Sequence, residues 1–103
     1  MPSQSADEKK NGWVVYILRC ADDSLYTGVT TSLARRLREH NETGAGARYT
    51  RARRPVQLVH AECAQNRSIA CRREYQLKQL SRAEKEALIA SSRTALTISI
   101  KEV

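Results

Sequence analysis

Five polar side chains of this sequence have types and spacings that suit the cleavage of a phosphodiester. An arginine can bind a phosphate and stabilise the negative charge of the transition state, and a histidine can orient water or relay a proton. A carboxylate can hold Mg²⁺ together with phosphate oxygens and water. The five residues are Tyr16 and Tyr26 in two strand-like segments, Arg36 and His40 one helical turn apart, and Glu74 in a later helix-like segment.

The two tyrosines can serve one site only if their side chains lie on the same face of a sheet. A phenol has an ordinary pKa of about 10, so it is a poor base unless cations such as Arg36 or a metal ion lower that pKa. Because side chains alternate along a strand, Tyr16 and Tyr26 share a face when an odd-length loop, or a bulge, joins their strands. The alternative is that both are ordinary strand residues with buried rings.

The other three candidates also have plain structural interpretations. Arg36 beside His40 is compatible with a surface arginine next to a histidine that ends a helix. Glu74 alone is compatible with a solvated carboxylate, as most glutamates on helix flanks are. These alternatives stay open on the residue types alone. We interpret His60, in a predicted strand, as a structural residue.

The charge of the chain favours a polyanionic partner. The chain has 18 Lys and Arg against 11 Asp and Glu, a net charge of +7. Seven of its arginines lie within residues 35–54, a window that contains only two acids, Glu39 and Glu42. Arginine clusters recognise phosphate with a bidentate fork, so we predict a nucleic-acid-binding segment, with a solvated basic loop as the alternative. Besides Arg36, it consists of Arg35, Arg38, Arg48, Tyr49, Arg51, Arg53 and Arg54.

Composition excludes several other classes of protein. The length of 103 residues allows one domain. Cys20, Cys63 and Cys71 are widely spaced, so we predict reduced thiols in the core of a cytoplasmic protein and no zinc site. The polar N-terminal segment lacks the apolar run of a signal peptide. No stretch approaches the roughly 18 apolar residues of a membrane span, so we expect no membrane association.

The sequence pattern also predicts the elements that position these side chains. Strands are predicted over 13–20, 25–30 and 56–63, with the first two paired as a hairpin through the turn at 21–24. A first helix is predicted over 33–41, with Leu33 and Leu37 as its apolar stripe and with Gly44 and Gly46 ending it. A basic loop is predicted over 47–55.

The C-terminal half is predicted to be mainly helical. A second helix begins at Asn66 or Ser68, ends near Leu80 and carries Glu74 at the edge of its apolar side. Ser81 and Glu84 form a capping box that starts a last helix, which ends near residue 92. The organisation is therefore a disordered tail over 1–11, one domain over 12–92 and a C-terminal strand or tail over 93–103.

Taken in order, these features resemble the GIY-YIG nuclease superfamily. The first motif is represented by Val14-Val15-Tyr16 and the second by Tyr26-Thr27-Gly28. The helix motif Arg36-Leu37-Arg38-Glu39-His40 and the later Glu74 follow. The segments 13–20, 46–50 and 78–82 are similar to a small stand-alone bacterial branch of single-domain GIY-YIG proteins. The resemblance covers about residues 13–90, and it departs from the family name at Val14, Val15 and Thr27.

The resemblance implies an α/β (α+β) sandwich, in which helices flank a three-stranded antiparallel sheet. It implies a divalent-metal-dependent endonuclease that hydrolyses DNA, in repair or recombination. Tyr16 would be the general base or position the water, and Tyr26 would hold water or a phosphate oxygen. Arg36 would bind the scissile phosphate with help from His40, and Glu74 would hold Mg²⁺ or Mn²⁺. The missing side chain of Gly28 fits a close approach of substrate or backbone.

Two other functions remain as alternatives. One is a nucleic-acid-binding module that has lost turnover, and the other is a small protein-interaction domain in a larger complex. The better-known family members carry further domains that choose the DNA target. We therefore also expect that a protein partner could supply specificity to this chain. DNA against RNA, and monomer against dimer, stay open.

Overall fold

The computed structural model describes the backbone of residues 12–102 and the side chains of residues 12–92. Three strands form one antiparallel sheet with the order β2-β1-β3, and helices pack on it, so the fold is α+β as predicted. The strands are β1 (Trp13–Arg19), β2 (Leu25–Thr30) and β3 (Gln57–Ala64). The helices are α1 (Leu33–Glu42), α2 (Arg48–Arg51), α3 (Arg67–Gln79) and α4 (Arg82–Glu102).

The β1–β2 hairpin places both tyrosines on one face of the sheet. Its turn is closed by Asp22, whose carboxylate accepts hydrogen bonds from the backbone and hydroxyl of Ser24. Asp23 adopts a positive φ of 70°, which aspartate tolerates better than most residues. The loop of residues 20–24 has an odd length, and Tyr16 pairs with Gly28 two positions along from Tyr26. Tyr16 and Tyr26 therefore lie on the same face of the sheet, as one site requires.

The central strand β1 is buried on both faces, which explains its continuous apolar pattern. On one face, Val15 and Ile17 pack with Ala70, Leu77 and Ile89 of α3 and α4. On the opposite face, Tyr16 and Leu18 pack with Cys20 and Val56, and side chains of β2 and α1 border this second cluster. The sheet therefore separates an aliphatic core from the face that carries the tyrosines.

Side-chain caps fix the starts of the two C-terminal helices. Asn66 is the residue that caps α3, since its side chain accepts a hydrogen bond of 2.9 Å from the backbone of Ile69. The predicted capping box of α4 is confirmed, because the backbone N–H groups of Ser81 and Glu84 each donate to the side chain of the other residue. These caps satisfy amide groups that have no partner inside the helix.

The prediction that the last helix ends near residue 92 is wrong. Helix α4 continues to Glu102, so the alternation over 94–101 does not form a strand. A helix satisfies its own backbone hydrogen bonds, whereas a strand would need a free sheet edge as partner. The N-terminal tail predicted over 1–11 lies outside the described residues.

The end of α1 and the following basic segment also differ from the prediction. Neither Gly44 nor Gly46 has a positive φ, and the cap residue is Thr43 in an extended conformation. The last carbonyl groups of α1 are satisfied by Arg54, which donates to the backbone oxygens of Glu39, His40 and Thr43. The segment predicted as a loop contains the helical turn α2, held against α1 by these arginine contacts.

The prediction for the cysteines is right for one of three. Cys20 is buried, whereas Cys63 and Cys71 are exposed. Cys63 alternates with the buried Ala64 along β3, and Cys71 directly follows the buried Ala70 on α3. None of the described helices is both long and apolar enough to cross a membrane.

Candidate active site

A buried hydrogen bond between Tyr16 and His40 forms the centre of the candidate site. The apolar stripe of α1 lays this helix on the tyrosine face of the sheet, and His40 continues that stripe by one turn. Tyr16 Oη lies 2.9 Å from His40 Nε2, and both side chains are almost completely buried. The structure therefore brings together two candidates that are 24 residues apart in the sequence.

Tyr26 completes an aromatic cluster over Gly28. The ring centroid of Tyr26 lies 6.4 Å from that of Tyr16 and 5.1 Å from that of His40. A Cβ atom on Gly28 would lie 2.6 Å from Tyr16 Oη and 3.2 Å from a ring carbon of Tyr26. The close approach predicted for substrate or backbone at Gly28 is therefore made by the phenol of Tyr16 itself.

We expect the substitution Gly28→Ala to displace the Tyr16 hydroxyl without a backbone penalty, because Gly28 has no positive φ. Overpacking of this kind costs about 1–3 kcal/mol of unfolding free energy. Chemical denaturation measures the cost, and the His40 ring signals in an NMR spectrum report the displacement. Gly44→Ala is the matched control, since a Cβ there meets nothing within 4 Å. Equal stability and equal His40 signals in the two variants would contradict the expectation.

Burial keeps both partners of the central hydrogen bond uncharged at neutral pH. It raises the pKa of Tyr16 to about 12, although a hydrogen bond from Arg36 opposes this shift. It lowers the pKa of His40 to about 4, and the nearby charge of Arg36 acts in the same direction. A phenol and a neutral imidazole therefore meet at the site, and one imidazole nitrogen is available as an acceptor.

The low pKa of His40 predicts a specific loss of stability in mild acid. The unfolded chain takes up a proton on this histidine near its ordinary pKa of about 6.5, whereas the folded chain resists until about 4. The stabilising contribution is complete above pH 6.5 and declines as the pH falls towards 4, by up to about 3 kcal/mol. We expect denaturation curves of the wild type to shift more steeply over this range than those of His40→Gln. Parallel pH dependences of the two proteins would exclude His40 as the source.

Thr50 holds the second nitrogen of His40, and sequence reasoning assigned this residue no role. His40 Nδ1 lies 2.7 Å from Thr50 Oγ1, and Thr50 is fully buried. The Thr50 hydroxyl lies 3.0 Å from the backbone oxygen of Ala47 at the start of α2. The sequence signal that could have pointed to Thr50 is a small hydroxyl residue within an otherwise arginine-rich segment.

Arg36 and Glu74 border the buried pair. Arg36 donates hydrogen bonds of 2.9 Å to Glu39 and to the backbone oxygen of Ala45, and a quarter of its side chain is exposed. Glu74 on α3 is partly buried, pairs with Lys78 at 3.2 Å, and its charge acts on the Tyr16 phenol. Tyr16, Tyr26 and His40 thus lie together on the tyrosine face, Arg36 reaches the Tyr16 hydroxyl, and the charge of Glu74 acts on the same phenol from α3.

Glu74 fits the role of a metal ligand with few protein partners. The described residues contain no group of three His, Cys, Asp or Glu that could hold a metal ion. Mg²⁺ is commonly bound by one or two carboxylates, substrate phosphate and water, and this requirement suits a single carboxylate such as Glu74. Glu74 is the residue that would hold the ion, and Arg36 would bind the phosphate that shares it.

The basic segment divides into exposed and structural members. Arg35, Arg38, Arg48 and Arg51 are exposed. Arg54 is used to cap α1, and Arg53 donates to Asp22 and to the backbone oxygen of Tyr49. The guanidinium of Arg53 lies 3.9 Å from the centre of the Tyr49 ring, which also stacks on Tyr26. Arg53 and Tyr49 therefore pack onto the aromatic cluster, and Tyr49 stays 38% exposed at its outer side.

A second polar network lies on the opposite face of the sheet. His60 contacts Ser92 and Glu62, and Glu62 accepts two hydrogen bonds from Arg73. These partners agree with the structural interpretation of His60. They also explain why a charged residue, Arg73, lies on the apolar side of α3.

Comparisons with known proteins assign the chain to a family. Residues 12–87 match the model of the GIY-YIG catalytic domain. The chain is 52% identical to UPF0213 protein DP2720 of Desulfotalea psychrophila over 86% of this chain and 81% of that protein. It is 57% identical to UPF0213 protein VNG_2274C of Halobacterium salinarum over 72% of this chain and 95% of that protein.

The chain is also similar in sequence to a protein of solved structure. The solution NMR structure of the UPF0213 protein BH0048 from Bacillus halodurans is 46% identical, with a TM-score of 0.49, and the match covers 76% of this chain and 82% of that one. The matched range of the family model includes both tyrosines, the α1 motif and Glu74. The chain belongs to the GIY-YIG family and, within it, to the UPF0213 group.

Proposed function

We propose that this protein is an endonuclease that hydrolyses phosphodiester bonds of DNA with Mg²⁺ or Mn²⁺. The observation that carries this proposal is the buried Tyr16–His40 pair, bordered by Arg36 and Glu74. Burying two titratable groups against each other costs free energy, and strongly shifted pKa values concentrate at functional sites.

The residues have complementary tasks in the hydrolysis. Arg36 binds the scissile phosphate and stabilises the negative charge that grows on its oxygens. The oxygen of Tyr16 accepts a proton from the attacking water while the phenolic proton moves to Nε2 of His40. The hydroxide so formed attacks phosphorus, the bond to the leaving oxygen breaks, and solvent protonates that oxygen. Glu74 would hold a divalent cation, which would supply further stabilisation of the developing negative charge.

The exposed arginines provide the wider contact with nucleic acid. Arg35 and Arg38 lie on α1, the helix that also carries Arg36. Arg48 and Arg51 lie on α2 beside the aromatic cluster. Contacts of this kind hold the phosphate backbone without reading base sequence, and their strength falls steeply with salt. A role in repair or recombination, and a partner protein that selects the target, belong to the same proposal.

A cleavage assay on a panel of nucleic acids tests the function. The panel contains single-stranded, duplex and branched DNA and one RNA, each with Mg²⁺, with Mn²⁺ and with a chelator. Metal-dependent products from the wild type, absent with Glu74→Gln, support the proposal and identify the substrate. Salt-sensitive binding to every substrate without any cleavage would support a binding module instead. Binding that is weak and insensitive to salt would favour a protein-interaction domain.

A further inference from the structure

The proposed chemistry does not use the hydrogen bond between His40 Nδ1 and the Thr50 hydroxyl. The imidazole is held at both nitrogens, by Tyr16 at Nε2 and by Thr50 at Nδ1. A neutral imidazole carries its proton on only one of these nitrogens. The partner at Nδ1 therefore influences which nitrogen can accept the proton of Tyr16.

Counting protons distinguishes the two tautomers. With the proton on Nδ1, the imidazole donates to Thr50 Oγ1, the Thr50 hydroxyl donates to Ala47, and the Tyr16 hydroxyl donates to Nε2. With the proton on Nε2, Thr50 must donate to Nδ1 and gives up the 3.0 Å bond to Ala47. The Tyr16 hydroxyl is then left without an acceptor among the described residues. The first arrangement satisfies every buried donor, and unsatisfied buried donors are costly.

We infer that Thr50 is a positioning residue that holds His40 in the Nδ1–H tautomer, so that Nε2 receives the proton of Tyr16. This inference rests on the proposed function for its catalytic consequence but not for its geometry. Thr50 acts through His40 and touches neither the phosphate nor the metal position.

The surrounding backbone keeps Thr50 in place. A Cβ atom on Gly46 would lie 2.6 Å from the backbone oxygen of Glu39, so only glycine allows the segment before α2 to lie this close to α1. Arg51 donates to the backbone oxygen of Gly44, and Arg54 donates to that of His40. The segment from Gly44 to Arg54 therefore fixes the distance between the threonine hydroxyl and the imidazole.

The direct test is the tautomer of His40 in ¹⁵N-labelled protein at neutral pH. Two-bond nitrogen–proton correlations distinguish an Nδ1–H imidazole from an Nε2–H imidazole, and they need no substrate, metal or activity. The wild type is expected to show Nδ1–H. Thr50→Val, which keeps the shape and removes the hydroxyl, is expected to shift His40 towards Nε2–H. Thr50→Ser is expected to restore the wild-type pattern, and Thr31→Val, at an exposed threonine, is the matched control.

The outcomes separate this inference from the proposed function. An Nε2–H tautomer in the wild type, or an unchanged tautomer in Thr50→Val, overturns the inference whether or not the protein cleaves DNA. The expected tautomers support it even where no substrate in the panel is cleaved. Where cleavage is observed, Thr50→Val should lose roughly tenfold to a hundredfold in rate at unchanged DNA affinity, with recovery in Thr50→Ser. Equal rates of wild type and Thr50→Val would contradict the catalytic consequence.

Discussion

Glu74→Gln is expected to abolish metal-dependent cleavage while DNA binding is retained. The substitution keeps the shape of the side chain and removes the negative charge that would hold the cation. The described residues contain no group of three His, Cys, Asp or Glu that could hold the cation in its place. Loss of metal-assisted charge stabilisation is worth several kcal/mol, which corresponds to a rate loss of at least about 10²-fold. Single-turnover cleavage of the preferred DNA measures this loss.

Binding measurements distinguish a lost ligand from a damaged fold. Without metal, Glu74→Gln should bind DNA at least as tightly as the wild type, because a negative charge beside the phosphate position has been removed. Glu42→Gln is the matched control, as Glu42 is an exposed glutamate at the end of α1. Wild-type cleavage by Glu74→Gln would remove Glu74 from the mechanism and require another site for the cation.

Tyr16→Phe is expected to reduce cleavage by roughly 10²- to 10⁴-fold, the usual contribution of a positioned acid or base. The ring still fills its place between Tyr26 and Gly28, so the aromatic cluster is kept. The substitution removes the group that we propose accepts the proton of water, and it leaves Nε2 of His40 buried without its partner. We therefore also expect a loss of about 1–3 kcal/mol in unfolding free energy, measured by chemical denaturation.

The comparison with an exposed tyrosine makes this expectation specific. Tyr75 on α3 is 66% exposed, and Tyr75→Phe should change neither cleavage nor stability. A Tyr16→Phe protein with wild-type turnover would show that the phenolic hydroxyl takes no part in proton transfer. A loss of DNA affinity equal to the loss of rate would instead point to a binding role for Tyr16.

Short-range patterns in the sequence predicted most of the elements and proposed the candidate site residues. Alternation and turn chemistry predicted the hairpin, but the predicted turn over 21–24 has an even length, and only the structure, in which β1 ends at Arg19, shows the odd loop that sets Tyr16 and Tyr26 on one face. The spacing of Leu33 and Leu37 placed His40 on the side of α1 that faces the sheet. The caps at Asn66 and Ser81 followed from side-chain acceptors next to helical segments. These features depend on residues a few positions apart, and local geometry is sufficient to determine them.

The limits of sequence reasoning lie in the segment after α1. Gly44 and Gly46 carry the usual signal of a helix end, yet Arg54 supplies the cap from a position 14 residues beyond His40. Arginines that suggested a surface for phosphate include Arg53 and Arg54, which bind backbone oxygens and Asp22 of the protein itself. Composition reports that an arginine is present, but only the folded chain shows which acceptor it meets.

The sequence by itself determined which residues could do the chemistry, and the tertiary structure decided how they are coupled. The bond between Thr50 and His40 joins residues that are 10 positions apart through the packing of α2 against α1. The fit of the Tyr16 phenol over Gly28 joins residues that are 12 positions apart across the paired strands β1 and β2. Such contacts depend on the relative placement of whole elements, to within a fraction of an ångström. Periodicity sets the face on which a side chain lies, whereas packing sets its distance from a neighbour, and proton transfer depends on that distance.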